Sequence, residues 1–178
     1  MIDIYTFVEA IWLVLAAYGA NGLCTLTRGK RRVDFNRNFM GKPVFGKGKT
    51  WEGLILGVIV GTAVGTIQML AFPYLPWGLS DVPLNIIPMG PILGFVLGLG
   101  AMLGDLGGSF IKRRLGMERG RPAPLLDQED FMVGMLIVAS LFVVLKWEWV
   151  VILLAITPVL HLIANGVAFL IKVKKVPY

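Results

Sequence analysis

The chain has 178 residues, 56% of them hydrophobic, with a formal net charge of +6 and a mean hydropathy of +0.75. Charged residues make up 16%, against about 25% in a soluble domain, and they cluster between uncharged runs such as 11–27 and 53–80. Runs of that length approach or exceed the roughly 20 residues a bilayer requires, which excludes a soluble enzyme and predicts an all-α integral membrane protein of one transmembrane domain.

In chain order, the apolar segments predict five transmembrane helices, at about residues 4–27, 51–72, 89–114, 127–146 and 149–173. The opening MIDIYTFVEA has Asp3 and Glu9 but no basic region, so it is expected to start the first span rather than to be a cleaved signal peptide. Cys24, the single cysteine, excludes an internal disulfide and a cysteine-based zinc site, and reads as a small apolar helix residue. Lysines and arginines orient the spans. Eight lie in a first loop at about 28–50, five on and around a second at about 115–126, and three in the tail; the 73–88 loop has none. The positive-inside rule then expects the amino terminus outside, the carboxyl terminus cytoplasmic, and two long basic cytoplasmic loops of a multi-pass cell-membrane protein. That placement accounts for the positive charge through membrane lipids and needs no nucleic acid. Tyr74, Trp77, Trp147 and Trp149 would form an aromatic belt at the outer interface.

Within the first loop, GKPVFGKGKTWEG at 41–53 nearly spells a P-loop, but Gly48 stands where Ser or Thr belongs and no strand precedes it. Its alternating glycines and lysines, Lys47 and Lys49 among them, can wrap a polyphosphate or rest on anionic headgroups, and charge alone does not separate the two. Thr50 reads as a helix cap, and Glu52 is an acid in a basic loop. Gly53, Gly57, Gly61 and Gly65 recur every fourth residue, as do Gly90, Gly94 and Gly98, followed by Gly104 and Gly108. Such stripes let backbones approach closely, so the second and third helices are expected to form a tight central pair; the oligomeric state stays open.

Residues 104–131 concentrate the chemistry. Asp105, Asp127 and Asp130 lie on this stretch with Lys112, Arg113, Arg114, Arg119 and Arg121 between them. A carboxylate inside a span costs about 2.5–3.5 kcal/mol at mid-depth, which makes Asp105 a functional candidate. Asp105, Ser109 and Lys112 share a helix face at i, i+4 and i+7, where an Asp105–Lys112 ion pair is the plain alternative. Asp127 and Asp130 read either as an N-cap and a variant capping box after Leu126, or, with Asp105, as three carboxylates converging on a cation. His161 and Asn165, at i and i+4 in the fifth helix, read as interhelical hydrogen bonders, as does Asn21 in the first.

These residues resemble the carboxyl-terminal signature of the membrane CTP-transferases that make CDP-lipids, which has a GD pair, S-x-x-K-R, a glycine- and histidine-containing link, and L-D-R-x-D. Gly104–Asp105, Ser109, Lys112–Arg113 and Leu126-Asp127-Gln128-Glu129-Asp130 occupy those places. The link here, RPAPL, lacks histidine, Gln128 replaces the arginine, and the chain is short. All three departures are similar to the archaeal branch, the CDP-archaeol synthases, as is F-G-K-G-K-T-x-E-G at 45–53. The resemblance implies a Mg²⁺-dependent cytidylyltransfer from CTP to 2,3-bis-O-geranylgeranylglycerol 1-phosphate, with release of pyrophosphate. It implies metal-binding by Asp105, Asp127 and Asp130, and a CTP site of Lys47, Lys49, Thr50, Glu52, Ser109, Lys112 and Arg113. Arg114 is expected at the lipid phosphate. Two alternatives share parts of this pattern: a CTP-dependent polyprenol kinase, and a small cation-coupled transporter lined by Asp105 and His161, against which the lack of internal symmetry argues.

Overall fold

A computed structural model describes residues 3–27, 29–76, 83–118, 121, 123, 125–170 and 172. Five helices account for most of them: α1 (Ile4–Cys24), α2 (Trp51–Ala71), α3 (Pro91–Arg114), α4 (Leu126–Ala139) and α5 (Trp147–Leu170). A single 3-10 turn, Phe72–Tyr74, extends α2. One antiparallel hairpin, β1 (Asn38–Phe39) with β2 (Lys42–Pro43), stands in the first loop.

The ends of the helices follow from short-range chemistry. Asp3 caps α1 by accepting the Thr6 N–H at 2.8 Å. At the other end Thr25 and Thr27 donate their hydroxyls to the carbonyls of Gly22 and Cys24, so α1 stops at Cys24 rather than running to Thr27. Thr50 caps α2 as expected, accepting the Gly53 N–H. Pro91 opens α3 at the position where its missing N–H is no loss.

Four helical segments, Ile4–Cys24, Trp51–Tyr74, Pro91–Arg114 and Trp147–Val167, are long and apolar enough to cross a membrane. The fourth helix in order differs from expectation. It ends at Ala139 instead of Lys146 and measures 14 residues, about 21 Å. The Ser140 hydroxyl takes the Ile137 carbonyl at 2.7 Å, and the β-branched Val143 and Val144 follow, although the apolar composition that suggested a longer helix continues to Leu145. Its beginning differs as well. Leu125 sits at the cap position with φ +66° and gives no side-chain cap, so neither Asp127 nor Asp130 has the capping role that spacing allowed.

Helix α3 is the middle of the bundle. A Cβ added at Gly61 would lie 2.7 Å from the Gly98 Cα, and one at Gly65 would lie 2.7 Å from the Gly94 Cα, so the backbones of α2 and α3 touch. Gly100, Gly104 and Gly108 turn the opposite face of α3 toward α4, where Gly134 is as close to Gly104 as backbone permits. The pair expected from the stripes is therefore a trio. Side chains of α1 (Leu13, Ala17), α3 (Leu97, Ala101), α4 (Phe131, Met135) and α5 (Leu153) fill the remaining core.

The end of the bundle away from the basic loops is held by one buried acid. Glu9 accepts from Lys146 Nζ (2.8 Å), Trp149 Nε1 (2.9 Å) and the Asn85 N–H (2.5 Å), tying α1 to the start of α5 and to the segment before α3. Trp149 is consequently buried and not part of an interfacial belt, whereas Tyr74 and Trp147 are exposed; Trp77 lies outside the described residues. Lys146→Ala should leave the Glu9 charge short of its cation at a cost of about 2–3 kcal/mol. A midpoint of thermal unfolding in detergent lowered by several degrees, with turnover per folded molecule unchanged, is the expected result.

Candidate active site

The opposite end gathers the predicted residues. The first loop returns on itself as a short antiparallel pairing: the Val33 N–H bonds the Lys49 carbonyl (3.0 Å), Arg32 bridges Thr50, and the Trp51 N–H bonds the Arg31 carbonyl (2.9 Å). Asp34, which sequence reasoning passed over, fixes the turn between. Its carboxylate, 5% exposed as a residue, accepts backbone N–H groups from Asn36 (3.1 Å), Phe45 (3.1 Å) and Gly46 (2.8 Å). Burial works against its ionisation, but the Gly46, Phe45 and Asn36 donors prevail and hold its pKa below the ordinary carboxylate value. Gly46 has φ +90°, a backbone shape that suits glycine alone, so this acid and this glycine together aim Lys47, Gly48 and Lys49. The available signal was the one noted for Glu52: an acid among basic residues.

Lys49 crosses from that loop to α3, its Nζ lying 2.6 and 2.5 Å from the two carboxylate oxygens of Asp105. Lys112 in turn bonds Asp127 of α4, which also accepts the Ala123 N–H at 2.9 Å. The simple Asp105–Lys112 pair is thus replaced by two pairs that bridge different elements. Asp130 is buried between α3 and α4; a Cβ on Gly108 would strike its carboxylate, which places it about one helical turn from Asp105. Its Oδ1 accepts the Phe131 N–H at 2.7 Å. No cationic side chain among the described residues is within ion-pair distance of it.

Two cavities meet along Lys47, Gly48 and Lys49. One, of about 450 Å³, lies between α1, α2 and α3 and is lined by Thr27, Thr50, Met102 and Asp105. The other, of about 620 Å³, lies between the hairpin and the end of α3 and is lined by Ser109, Lys112, Arg113 and Met117. Arg113 donates to the Met117 carbonyl at 2.5 Å, and its buried Nε has no hydrogen-bond partner among the described residues. The remaining predicted residues do other work. Glu52 accepts the Lys30 and Arg31 N–H groups at 3.3 Å. Arg114 bonds the carbonyls of Phe39, Lys42 (3.1 Å) and Pro43 (2.5 Å), with its guanidinium over the Phe39 and Phe110 rings. It clamps the hairpin to α3 and leaves little of its donor fork for a ligand. His161 and Asn165 bond each other along α5 at 3.3 Å.

Among the described residues no three His, Cys, Asp or Glu side chains stand at metal-holding spacing. The donor chemistry nevertheless fits a hard divalent cation. Asp105 already accommodates one positive charge on both oxygens, and Asp130 is a buried carboxylate with a spare oxygen one turn away; Mg²⁺ uses one or two carboxylates plus substrate phosphates. Asp127 would join only by releasing Lys112.

A mainly helical bundle with carboxylates and ammoniums converging at one end of its apolar spans defines an intramembrane protein with a charged site. Comparisons specify which. The family model "CarS-like: CDP-archaeol synthase" matches residues 1–178. The CDP-archaeol synthase of Pyrococcus abyssi is 43% identical over 171 residues, covering 96% of this chain and 97% of its own, and that of Methanopyrus kandleri is 41% identical over 96% and 92%. A solved chain described as "Structural insight into an intramembrane enzyme for archaeal membrane lipids biosynthesis" is 40% identical, with a TM-score of 0.76, over 89% of this chain and 93% of that one. The chain belongs to the CDP-archaeol synthase family.

Proposed function

We propose that the protein transfers CMP from CTP to an isoprenoid ether-lipid phosphate, 2,3-bis-O-geranylgeranylglycerol 1-phosphate, giving the CDP-lipid and pyrophosphate. The observation that carries this is the pairing of a two-lysine glycine loop with a membrane carboxylate, Lys49 on Asp105, in a chain of this family. A lipid phosphate oxygen attacks the α-phosphorus of CTP in line, the bond to the β-phosphate bridging oxygen breaks, and that oxygen leaves with pyrophosphate. The nucleophile is already anionic, so the site has charge to neutralise rather than a proton to remove. Lys47 and Lys49, with the loop N–H groups, lie along the triphosphate; Ser109, Lys112 and Arg113 face it from the second cavity. Mg²⁺, held by Asp105 and Asp130 with Asp127 within reach, would supply charge neutralisation across the phosphates when bound. As substrate arrives, the ammoniums exchange carboxylate for phosphate. The isoprenoid chains are assigned to the groove of about 390 Å³ between α3 and α4, lined by Leu103, Ile111, Val133 and Ile137, with Asp130 at its wall.

In this reading α4 and the following residues 140–146 complete a fifth crossing, the basic loops and the site face the cytoplasm, and the amino terminus is outside. CTP labelled at the α or the γ phosphorus tests the reaction, with purified protein, Mg²⁺ and a geranylgeranyl ether phosphate. Label from the α position should enter lipid while γ label leaves in pyrophosphate. Entry of γ label into a prenol would replace the proposal with a kinase.

A further inference from the structure

A third cavity, of about 760 Å³, lies on the outer flank of the first loop and shares no lining residue with the two at the active site. Its walls are Lys30, Arg31, Arg32, Phe35, Asn36, Trp51 and Ile55. Three observations coincide here. First, the three cations stand on consecutive residues; the Glu52 carboxylate accepts the backbone N–H groups of Lys30 and Arg31, but no carboxylate among the described residues comes within ion-pair distance of the three cationic groups. Second, two of the seven walls are aromatic: the Phe35 and Trp51 rings lie 6.2 Å apart, and Phe35 is 68% exposed at the tip of the Asp34 turn with φ +48°. A bulky residue in the left-handed region is sterically disfavoured, so an aromatic displayed to solvent there is not a neutral filler. Third, Trp51 and Ile55 begin the exposed stripe Ile55, Ile59, Ile67 and Leu70 on α2, the face such a span turns to lipid tails. The cavity is thus continuous with the bilayer on one side and cationic on the other.

The geometry points to a binding site for the phosphate headgroup of an anionic membrane lipid, cradled by Lys30, Arg31 and Arg32, with its acyl or isoprenoid chains descending along Ile55 and Ile59. The occupant is a resident phospholipid and not the acceptor. Cations at a membrane surface attract anionic lipid, while an aromatic pair at headgroup depth anchors the backbone beneath. Arg31 and Arg32 are joined through backbone bonds to Trp51 and Thr50, so the site is built on a paired segment rather than on a free tail. The inference needs α2 to be immersed and does not depend on the transferase reading.

The test counts lipids. Full-length protein is reconstituted in phosphatidylcholine with one-tenth phosphatidylglycerol, re-extracted gently, and the retained lipids are measured by mass spectrometry. Wild type should retain phosphatidylglycerol enriched by about tenfold over the bulk, and Lys30→Gln/Arg31→Gln/Arg32→Gln should lose the enrichment. Phe35→Ser, which keeps all three charges, should lose part of it. Arg37→Gln, a basic change in the same loop outside the cavity, should lose none. Unchanged enrichment in the triple variant, checked for wild-type thermal unfolding, overturns the proposal; so does an equal loss in Arg37→Gln, which would mean diffuse attraction. Should the triple variant not fold, unchanged retention in Phe35→Ser has the same force. Displacement of the lipid by millimolar glycerol 1-phosphate would make this a site for soluble phosphate and would equally overturn it.

Discussion

Asp105→Asn should reduce cytidylyl transfer to below about 1% of wild type, with helical content and thermal unfolding near normal. The substitution keeps the volume and one acceptor oxygen toward Lys49, so α3 and the loop should still meet. What it removes is the negative charge that holds the ammonium and that would hold a divalent cation. Single preorganised electrostatic groups are worth on the order of 10²–10³ in turnover, and this residue is assigned two such duties. Lys49→Met is expected to fall by about 10²-fold for the same charge. The double variant should be little worse than Asp105→Asn, because residues acting as a unit do not add. The α-labelled CTP assay reads all three. Retention of a third or more of activity by Asp105→Asn would remove the metal and lysine-holding roles together.

Asp34→Ala is expected to raise the KM for CTP by about tenfold or more while lowering kcat much less. The change leaves three N–H groups beside the hairpin without an acceptor, at about 1–3 kcal/mol for each that stays dry, so the 45–49 segment should open instead. Asp34 touches no candidate substrate position; it acts by aiming Lys47 and Lys49. Asp34→Asn, which keeps one acceptor oxygen, should recover part of the loss, and a kcat defect with unchanged KM would show that the loop is not what it positions. The sign of the pH dependence follows from the lowered pKa. The carboxylate's contribution is complete above its unfolded value, near 3.8, and fades only as acid takes the pH down through the lower folded value. Loop order should therefore be flat through neutral pH and fail only in strong acid.

Four of the five expected spans were legible, because hydropathy over 20 residues reports burial in lipid with little interference from tertiary contacts. Helix α4 shows the limit. Leu141 to Leu145 are apolar, but the helix ends at Ala139, seven residues before the expected Lys146, where the Ser140 hydroxyl takes the Ile137 carbonyl, and composition carries no trace of that. The glycine stripe was readable in one respect and misread in another. Between Gly98 and Gly104 the step is six residues, a rotation of about 240°, so the later glycines leave the α2 face and meet α4. Candidate site residues were found by type, not by partner. Lys49 and Asp105 were both nominated, yet their contact spans 56 positions, and no periodicity links a loop to a helix that distant. Arg114 shows the converse: its motif position suggested a ligand, whereas its neighbours in space are three carbonyls and two rings.

The double glycine facing of α3 has a thermal consequence. Where Gly61 and Gly65 of α2 and Gly134 of α4 touch it, the contact is backbone on backbone, with no side-chain torsions at those points to freeze on assembly or to melt on heating. A leucine-packed joint loosens as its rotamers are released; these glycine contacts have none to release. The spacing between Asp105 on α3 and Asp130 on α4 is therefore set by contact between main chains, in the manner of a machined seat, and should drift little across a wide span of temperature. One carboxylate geometry can thus persist over that span without tailoring the core around it.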